Sequence, residues 1–125
     1  MDAKDLRIGN WVVHEPIIDD WEEIIVKCGN IIQCEISPDS FAPIPLTEEW
    51  LFKFSFDKLA NDIPTYYKCF GNLIEDDYEF SFNIYVDSEQ NYFITVFGRK
   101  IIIKYIHQLQ NLYFALTDEE LIMKL

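Results

Sequence analysis

The pattern of hydrophobic and polar residues predicts β-strands over most of the chain and two helices. The clearest helix lies near residues 105–116, a stretch without Gly or Pro. At about 100° per residue, its apolar side chains gather on one side of the helix. They are Tyr105, Ile106, Leu109, Leu112, Tyr113 and Leu116. We expect this side to be buried, and His107, Gln110 and Phe114 to lie off it.

A C-terminal antiparallel meander is predicted before this helix. Residues 79–86 alternate, with Phe80, Phe82, Ile84 and Val86 on one face and Glu79, Ser81, Asn83 and Tyr85 on the other. Residues 92–97 and 100–104 follow as the next two strands, and residues 66–70 are a further candidate. A sheet with one apolar face needs a covering layer, so we expect the helix near 105–116 to cover the meander.

The N-terminal part of the chain predicts short strands joined by tight turns. Residues 11–13, 21–27 and 31–36 are the main candidates, with a Gly-Asn turn signal between the last two. Together they predict a curled sheet of short strands, of the kind found in a small SH3-like barrel. A helix over residues 21–27 is the alternative, because two adjacent glutamates there suit a first helical turn.

A short helix is predicted near residues 47–54, after a proline-rich loop over residues 37–45. Thr47 is a suitable N-cap, and two glutamates follow it at the positive end of the helix dipole. A near copy of this signal occurs at residues 116–121, where Thr117 and Glu120 have the spacing of a capping box. The elements together predict an α+β fold.

Length and composition set the broad class of the protein. A chain of 125 residues, half of them hydrophobic, predicts one compact domain over residues 1–125. The net charge of −12 makes direct binding to nucleic acid unfavourable. No apolar run is long enough for a membrane span or a signal peptide, so we expect a cytoplasmic protein.

The three cysteines, Cys28, Cys34 and Cys69, show no C-x-x-C spacing. The odd number and the spacing argue against a disulfide framework and against a zinc site. We expect reduced thiols, with Cys69 in the common role of a buried structural cysteine. The sequence indicates no cofactor.

Two segments, Pro43–Leu51 (PIPLTEEWL) and Tyr105–Thr117 (YIHQLQNLYFALT), carry a resemblance to a known family, together with residues 6–10. They resemble a family of small uncharacterised proteins from gut bacteria, their phages and mobile elements. The chain departs from the family pattern at Ser55 and Asp118, where glycine is usual. The family has no assigned activity, so the resemblance implies a compact cytoplasmic α+β domain and no site residues.

The residues give no nucleophile–base pair, no metal set and no phosphate-binding loop. We therefore predict a non-enzymatic binding or accessory protein with a protein partner, contacted through His107, Gln110 and Phe114. Structural hydrogen bonding is the favoured role of the helix amides Gln108, Gln110 and Asn111. The first alternative is an acidic nucleic-acid mimic that inhibits a DNA-binding protein. The second is an enzyme that pairs His107 with an acidic residue of 75–77.

Leu109→Ala tests the predicted core face. Leu109 lies at the centre of the apolar side, so the substitution should lower the free energy of unfolding by about 2–5 kcal/mol. Phe114→Ala should leave it nearly unchanged if Phe114 belongs to a contact surface. Urea unfolding of both variants measures the difference, and an equal loss in both would show that the helix is buried on two sides.

Overall fold

The computed structural model describes residues 1–17, 19–59, 63–70 and 80–123. The described residues form an α+β fold, as predicted, with a three-stranded sheet and a five-stranded sheet. Their contacts divide the chain into two compact units. The N-terminal unit comprises Met1–Pro45 and Tyr105–Asn111, and the C-terminal unit comprises Leu46–Lys104 and Leu112–Leu125. The prediction of a single domain stays a prediction.

The N-terminal unit contains a three-stranded antiparallel sheet with the strand order β2-β1-β3. Its elements are a 3-10 turn at Ala3–Asp5, β1 at Trp11–Ile17, β2 at Asp20–Ile25, helix α1 at Cys28–Ile36, a second 3-10 turn at Pro38–Ser40 and β3 at Phe41–Pro43. The predicted strand over residues 21–27 is confirmed, and the alternative helix there is wrong.

The predicted strand over residues 31–36 is wrong, because these residues belong to α1. Ile31 and Cys34 are three positions apart and pack on the same core from one helix face. Ile32 and Ile36 are 55% and 77% exposed. A run of isoleucines fits either structure locally, so only the packing decides between them. A helix therefore stands where a further strand of an SH3-like barrel was expected.

The third strand of this sheet comes from the segment predicted to be a proline-rich loop. Proline lacks an N–H group and is tolerated in an edge strand, which is where Pro43 lies. Phe41 from this strand joins Val12, Val26 and Cys34 in the core of the unit, and each of the four is at most 2% exposed. An edge strand in a proline-containing segment therefore contributes a side chain to the core of the unit.

The C-terminal unit contains a five-stranded antiparallel sheet with the strand order β4-β5-β6-β7-β8. Its elements are helix α2 at Glu48–Lys53, β4 at Asp57–Leu59, β5 at Thr65–Phe70, β6 at Phe80–Val86, β7 at Tyr92–Val96 and β8 at Arg99–Ile103. The predicted meander is confirmed as its last three strands. The N-cap is also confirmed, because the Thr47 hydroxyl accepts a hydrogen bond from the Trp50 N–H at 3.4 Å.

Helix α3 spans Ile106–Thr117 and confirms the predicted helix. Leu109 is fully buried, as predicted, whereas Leu116 is 48% exposed. In the C-terminal unit, the Tyr113 ring lies 5.1 Å from the Phe82 ring of β6 and 6.4 Å from the Phe56 ring. The last turns of α3 therefore pack on the buried face of the meander.

The amides of α3 bind the main chain of the N-terminal unit, as predicted. The Gln110 side chain accepts a hydrogen bond from the Trp11 N–H at 2.8 Å and donates one to the Gly9 carbonyl at 3.0 Å. Asn111 accepts from the Asn10 side chain at 2.8 Å and donates to the Asp5 carbonyl at 3.1 Å. These bonds tie the helix to the loop before β1.

The second capping signal does not start a helix among the described residues. Thr117 is instead the last residue of α3, and its hydroxyl donates to the Tyr113 carbonyl at 2.7 Å. Asp118 follows with a positive φ of 58°, and its N–H donates to the Phe114 carbonyl at 2.8 Å. A left-handed residue after the last turn ends a helix, and glycine is the usual residue there.

Ser55, after α2, also has a left-handed φ of 67°. Both positions lie at the surface and have an L side chain in a conformation that favours glycine. Ser55→Gly and Asp118→Gly should therefore each raise the free energy of unfolding by about 0.5–1 kcal/mol. Relief of backbone strain stabilises the folded state, and the greater conformational entropy of the unfolded chain with glycine offsets part of this gain. Urea unfolding gives the values.

Ser81→Gly is the control for this prediction, because Ser81 is exposed in the extended backbone of β6. Glycine at such a position adds freedom to the unfolded chain without relieving strain, so this variant should lose stability. A loss in all three variants would contradict the argument from the left-handed conformation.

Candidate binding site on the five-stranded sheet

One face of the five-stranded sheet is packed and the other carries an apolar row. Ile84 of β6 and Ile94 of β7 are buried on the packed face. Neighbouring residues in a strand point to opposite faces, so Tyr85 and Phe93 lie on the outer face. The register pairs Tyr85 with Phe93, and Phe93 with Ile102 of β8. These three residues form one row across the strands. We call it the aromatic row after its two rings, Tyr85 and Phe93, and it ends at Ile102.

A cleft of about 670 Å³ opens beside this row. Its lining residues are Ile63, Pro64, Tyr85, Val86, Asp87, Ser88, Gln90, Phe93 and Thr95. The rings of Tyr85 and Phe93 lie 5.6 Å apart at an angle of 38°. Ile63, which precedes β5, is 61% exposed. The cleft therefore presents aromatic and aliphatic walls to solvent, with polar groups grouped at its β6–β7 end.

Asp87 organises the turn at this polar end. Its Oδ1 accepts hydrogen bonds from the N–H groups of Glu89 at 2.9 Å and Asn91 at 2.8 Å. Its Oδ2 accepts one from Lys100 at 2.7 Å. The hydrogen bond from Lys100, together with those from the turn N–H groups, lowers the pKa of Asp87 to about 2. The carboxylate is thus charged at neutral pH.

Lys100 connects this turn to the aromatic row. Its ammonium lies 4.6 Å from the centre of the Phe93 ring while it is paired with Asp87. A cation over an aromatic face is attracted to it, so Lys100 helps to hold the ring in place. One end of the cleft is thereby prepared by a charged pair, and the ring orientation does not depend on a bound ligand.

The lining of the cleft suits binding better than proton transfer. Its ionisable lining residues are Tyr85 and Asp87. Both oxygens of Asp87 already accept hydrogen bonds, and a carboxylate of low pKa is a weak base. Apolar walls with a few polar groups at one end are typical of a binding site.

The residues predicted to contact a partner do not form an exposed patch. His107 is 5% exposed, Gln110 is 1% exposed and Phe114 is half-buried. Gln110 is buried because its amide binds the main chain near β1. His107 and Gln110 belong to the N-terminal unit and Phe114 to the C-terminal unit. Their contact with a partner stays a prediction.

The acidic residues proposed as catalytic partners of His107, at positions 75–77, lie outside the described residues. Nδ1 of His107 has no hydrogen-bond partner among the residues that the structure describes. Burial lowers the pKa of His107, and the nearby Asp5 carboxylate opposes this effect. A buried histidine of low pKa is neutral at pH 7, so it adds no charge to a surface.

Cys69 is exposed, so the prediction of a buried structural cysteine at this position is wrong. Cys34 is the buried cysteine, and burial raises the pKa of its thiol. In the described ranges, no group of three or more His, Cys, Asp or Glu side chains is arranged to hold a metal ion.

Sequence reasoning did not select Tyr85 and Phe93. One signal was present, because Tyr85 falls on the otherwise polar face of the alternating stretch 79–86. An aromatic residue among polar ones marks a half-exposed position when the other face of the strand is buried. The partner ring on β7 emerges only from the register between the two strands.

The chain has no significant similarity to a known protein family, a curated protein or a solved structure. The resemblance to small proteins of gut bacteria and their phages therefore stays a prediction. Within the part of the chain that the structure describes, every helix is too short or too polar to cross a membrane.

The buried His107 predicts a loss of stability in mild acid. Its pKa is lowered in the folded state, so the unfolded state binds more protons as the pH falls below about 6.5. The contribution of neutral His107 is fully present above that pH and decreases below it. Urea unfolding should therefore give a lower midpoint at pH 5.5 than at pH 7.5. Over this range carboxylates with ordinary or lowered pKa values stay ionised.

His107→Phe should remove most of this pH dependence, because the side chain no longer titrates. His14→Gln is the matched control, since His14 is half-exposed and stacked on Phe41 at 4.3 Å. A pH dependence that persists in His107→Phe and vanishes in His14→Gln would contradict the assignment.

Proposed function

We propose that the chain is a non-enzymatic binding or accessory protein, and that the cleft beside the aromatic row binds a segment of a protein partner. The observation that carries the proposal is the outward-facing pair Tyr85 and Phe93, held 5.6 Å apart beside an open cleft. Aromatic side chains supply much of the energy at protein interfaces because they bury a large area with few rotatable bonds.

The chemistry of the cleft favours an apolar side chain as the bound group. Ile63 and Pro64 face the space that the two rings border, and the cleft is large enough for one or two partner side chains. Asp87 and Lys100 neutralise one another at the polar end. A partner residue entering the cleft thus exchanges water for apolar contact, without leaving a buried charge unpaired.

A protein fits better than a nucleic acid as the partner. The net charge of −12 repels a phosphate backbone, and the Asp87 carboxylate is part of the cleft lining. The resemblance noted above supports a cytoplasmic protein carried by a phage or mobile element, and this placement is part of the proposal.

Selection of displayed random peptides on the immobilised protein tests this proposal. The recovered peptides should contain an apolar anchor residue and bind Phe93→Ser and Tyr85→Ser at least tenfold more weakly. The reason is that each substitution removes one aromatic wall of the cleft. Affinities are measured by fluorescence polarisation, and circular dichroism checks that the variants are folded.

Ile36→Ser is the matched control, because Ile36 is 77% exposed and lies on α1 in the N-terminal unit. It removes an exposed apolar side chain away from the cleft and should leave peptide affinity unchanged. Peptides that lose affinity for Ile36→Ser and keep it for both aromatic variants would refute the proposed site.

A further inference from the structure

The turn between β7 and β8 carries a fully exposed phenylalanine in a strained backbone conformation. Phe97 and Gly98 are the two central residues of this turn, with φ values of 50° and 76°, and Val96 pairs with Arg99 across it. Positive φ at both central positions is typical of the type I′ hairpin turn, which favours Asn, Asp and Gly there. Phe97 is exposed over its whole surface. An aromatic residue therefore occupies a position that suits neither its backbone nor its ring.

The fold itself gains nothing from the ring of Phe97, because the ring lies in water. A bulky residue with positive φ is an outlier, and such strain is found where a residue acts in function. An exposed aromatic side chain is also the kind of group that gains most from burial at an interface. Phe97 is therefore a candidate anchor for association.

Strand β7 places this anchor and a wall of the cleft at equal distances from one small residue. Phe93 and Thr95 line the cleft on the outer face, and Phe97 follows two positions later. Side chains two positions apart share a face of a strand. When two outer faces meet with their β7 strands antiparallel, a two-fold axis at Thr95 would exchange Phe93 with Phe97. Each Phe97 would then meet the cleft of the other copy.

The cleft has the size and lining to accept a phenyl ring. Its volume is about 670 Å³, and Ile63 and Pro64 form the apolar wall across from the aromatic row. A phenyl ring entering it exchanges water for apolar and aromatic contact. Asp87 and Lys100 are already paired with each other, so the ring buries no unpaired charge.

The charges beside the anchor and beside the cleft are complementary. Arg99 follows the Phe97 turn, Glu89 lies in the turn after β6, and both are exposed. Neither forms an ion pair within the described part of the chain. The two-fold arrangement brings the Arg99 turn of one copy toward the Glu89 turn of the other, twice over. This match is built into the chain itself, so it favours a second copy as the occupant of the cleft.

We infer that the chain forms a two-fold dimer in which Phe97 of each copy enters the cleft beside the aromatic row of the other. Such a contact is isologous, so the same pair of surfaces meets twice. The net charge of −12 on each copy opposes association, and salt at physiological ionic strength screens it beyond about 8 Å. The inference rests on the proposed function, because it names a second copy as the partner that supplies the apolar side chain.

Phe97→Asn tests the anchor without endangering the fold. Asparagine tolerates a positive φ and suits a type I′ turn, so this variant should fold at least as stably as the parent chain. Sedimentation velocity over a range of concentrations should show a dimer of the parent chain and at least tenfold weaker association of Phe97→Asn. Ile122→Asn is the control, because Ile122 is 75% exposed in the same unit. A parent chain that stays monomeric, or equal effects of the two variants, would overturn the inference.

Mixing two variants tests whether the anchor and the cleft meet between copies. Phe97→Asn lacks the anchor but keeps the cleft, and Phe93→Ser lacks a cleft wall but keeps the anchor. A mixed dimer retains one complete contact, whereas neither variant retains one with itself. The two variants should therefore associate with each other at least tenfold more tightly than either does with itself. No gain on mixing would overturn the pairing of Phe97 with the cleft.

A cross-link at the two-fold axis tests the arrangement of the copies. Thr95→Cys, with Cys28→Ser and Cys69→Ser to remove the exposed native thiols, places one reactive thiol at the axis. A bismaleimide that spans about 10 Å, the spacing of stacked sheets, should join two copies efficiently. Ser81→Cys in the same background is the control, because Ser81 is exposed on β6 away from the axis. Equal cross-linking of both, or oligomers larger than a dimer, would overturn the two-fold arrangement.

The dimer and the peptide binding of the proposed function fail separately. A monomeric chain whose displayed peptides depend on Phe93 would overturn the dimer and leave the cleft as a site for another protein. A dimer that depends on Phe97, without any displayed peptide that depends on Phe93, would support the dimer and overturn the binding of other partner segments.

Discussion

The N-terminal unit depends on two side-chain amides of α3, the buried Gln110 and the half-exposed Asn111, that complete the hydrogen bonding of the loop before β1. Gly9 adopts a positive φ of 95°, and the chain turns there without a strand partner for its carbonyl. Gln110 supplies that partner at 3.0 Å and also accepts from the Trp11 N–H at 2.8 Å. A buried amide is costly unless it is fully hydrogen-bonded, so these contacts determine where β1 begins and how α3 is rotated.

The two halves of α3 are held by different interactions. The first half binds the N-terminal unit through side-chain amides, which require particular distances and directions. The second half places Tyr113 among the rings of Phe56, Phe70 and Phe82 in the C-terminal unit. Aromatic packing tolerates small changes of geometry better than a buried hydrogen bond does, because dispersion is less directional. Substitutions in the first half of α3 should therefore be tolerated less well than substitutions in the second half.

The cleft on the outer face of the five-stranded sheet is shaped by contacts within the chain. Asp87 orders the turn after β6 through its hydrogen bonds. Lys100 bonds to Asp87 and also lies over the Phe93 ring, so it links the turn to that ring. Lys100 belongs to β8, so the arrangement depends on contacts across neighbouring strands of the sheet.

Local patterns in the sequence were sufficient to predict the meander strands, the start of α2 at Thr47 and the helix near residues 105–116. In these segments the hydrophobic period and the cap agree with the final packing. Local patterns could not decide between helix and strand for residues 31–36, because adjacent isoleucines fit both equally well. The burial of Gln110 depends on main-chain groups about a hundred residues earlier, and the aromatic row depends on the register between strands. Contacts between distant segments decide such features, so the tertiary structure was needed to locate both the buried Gln110 amide and the candidate binding face.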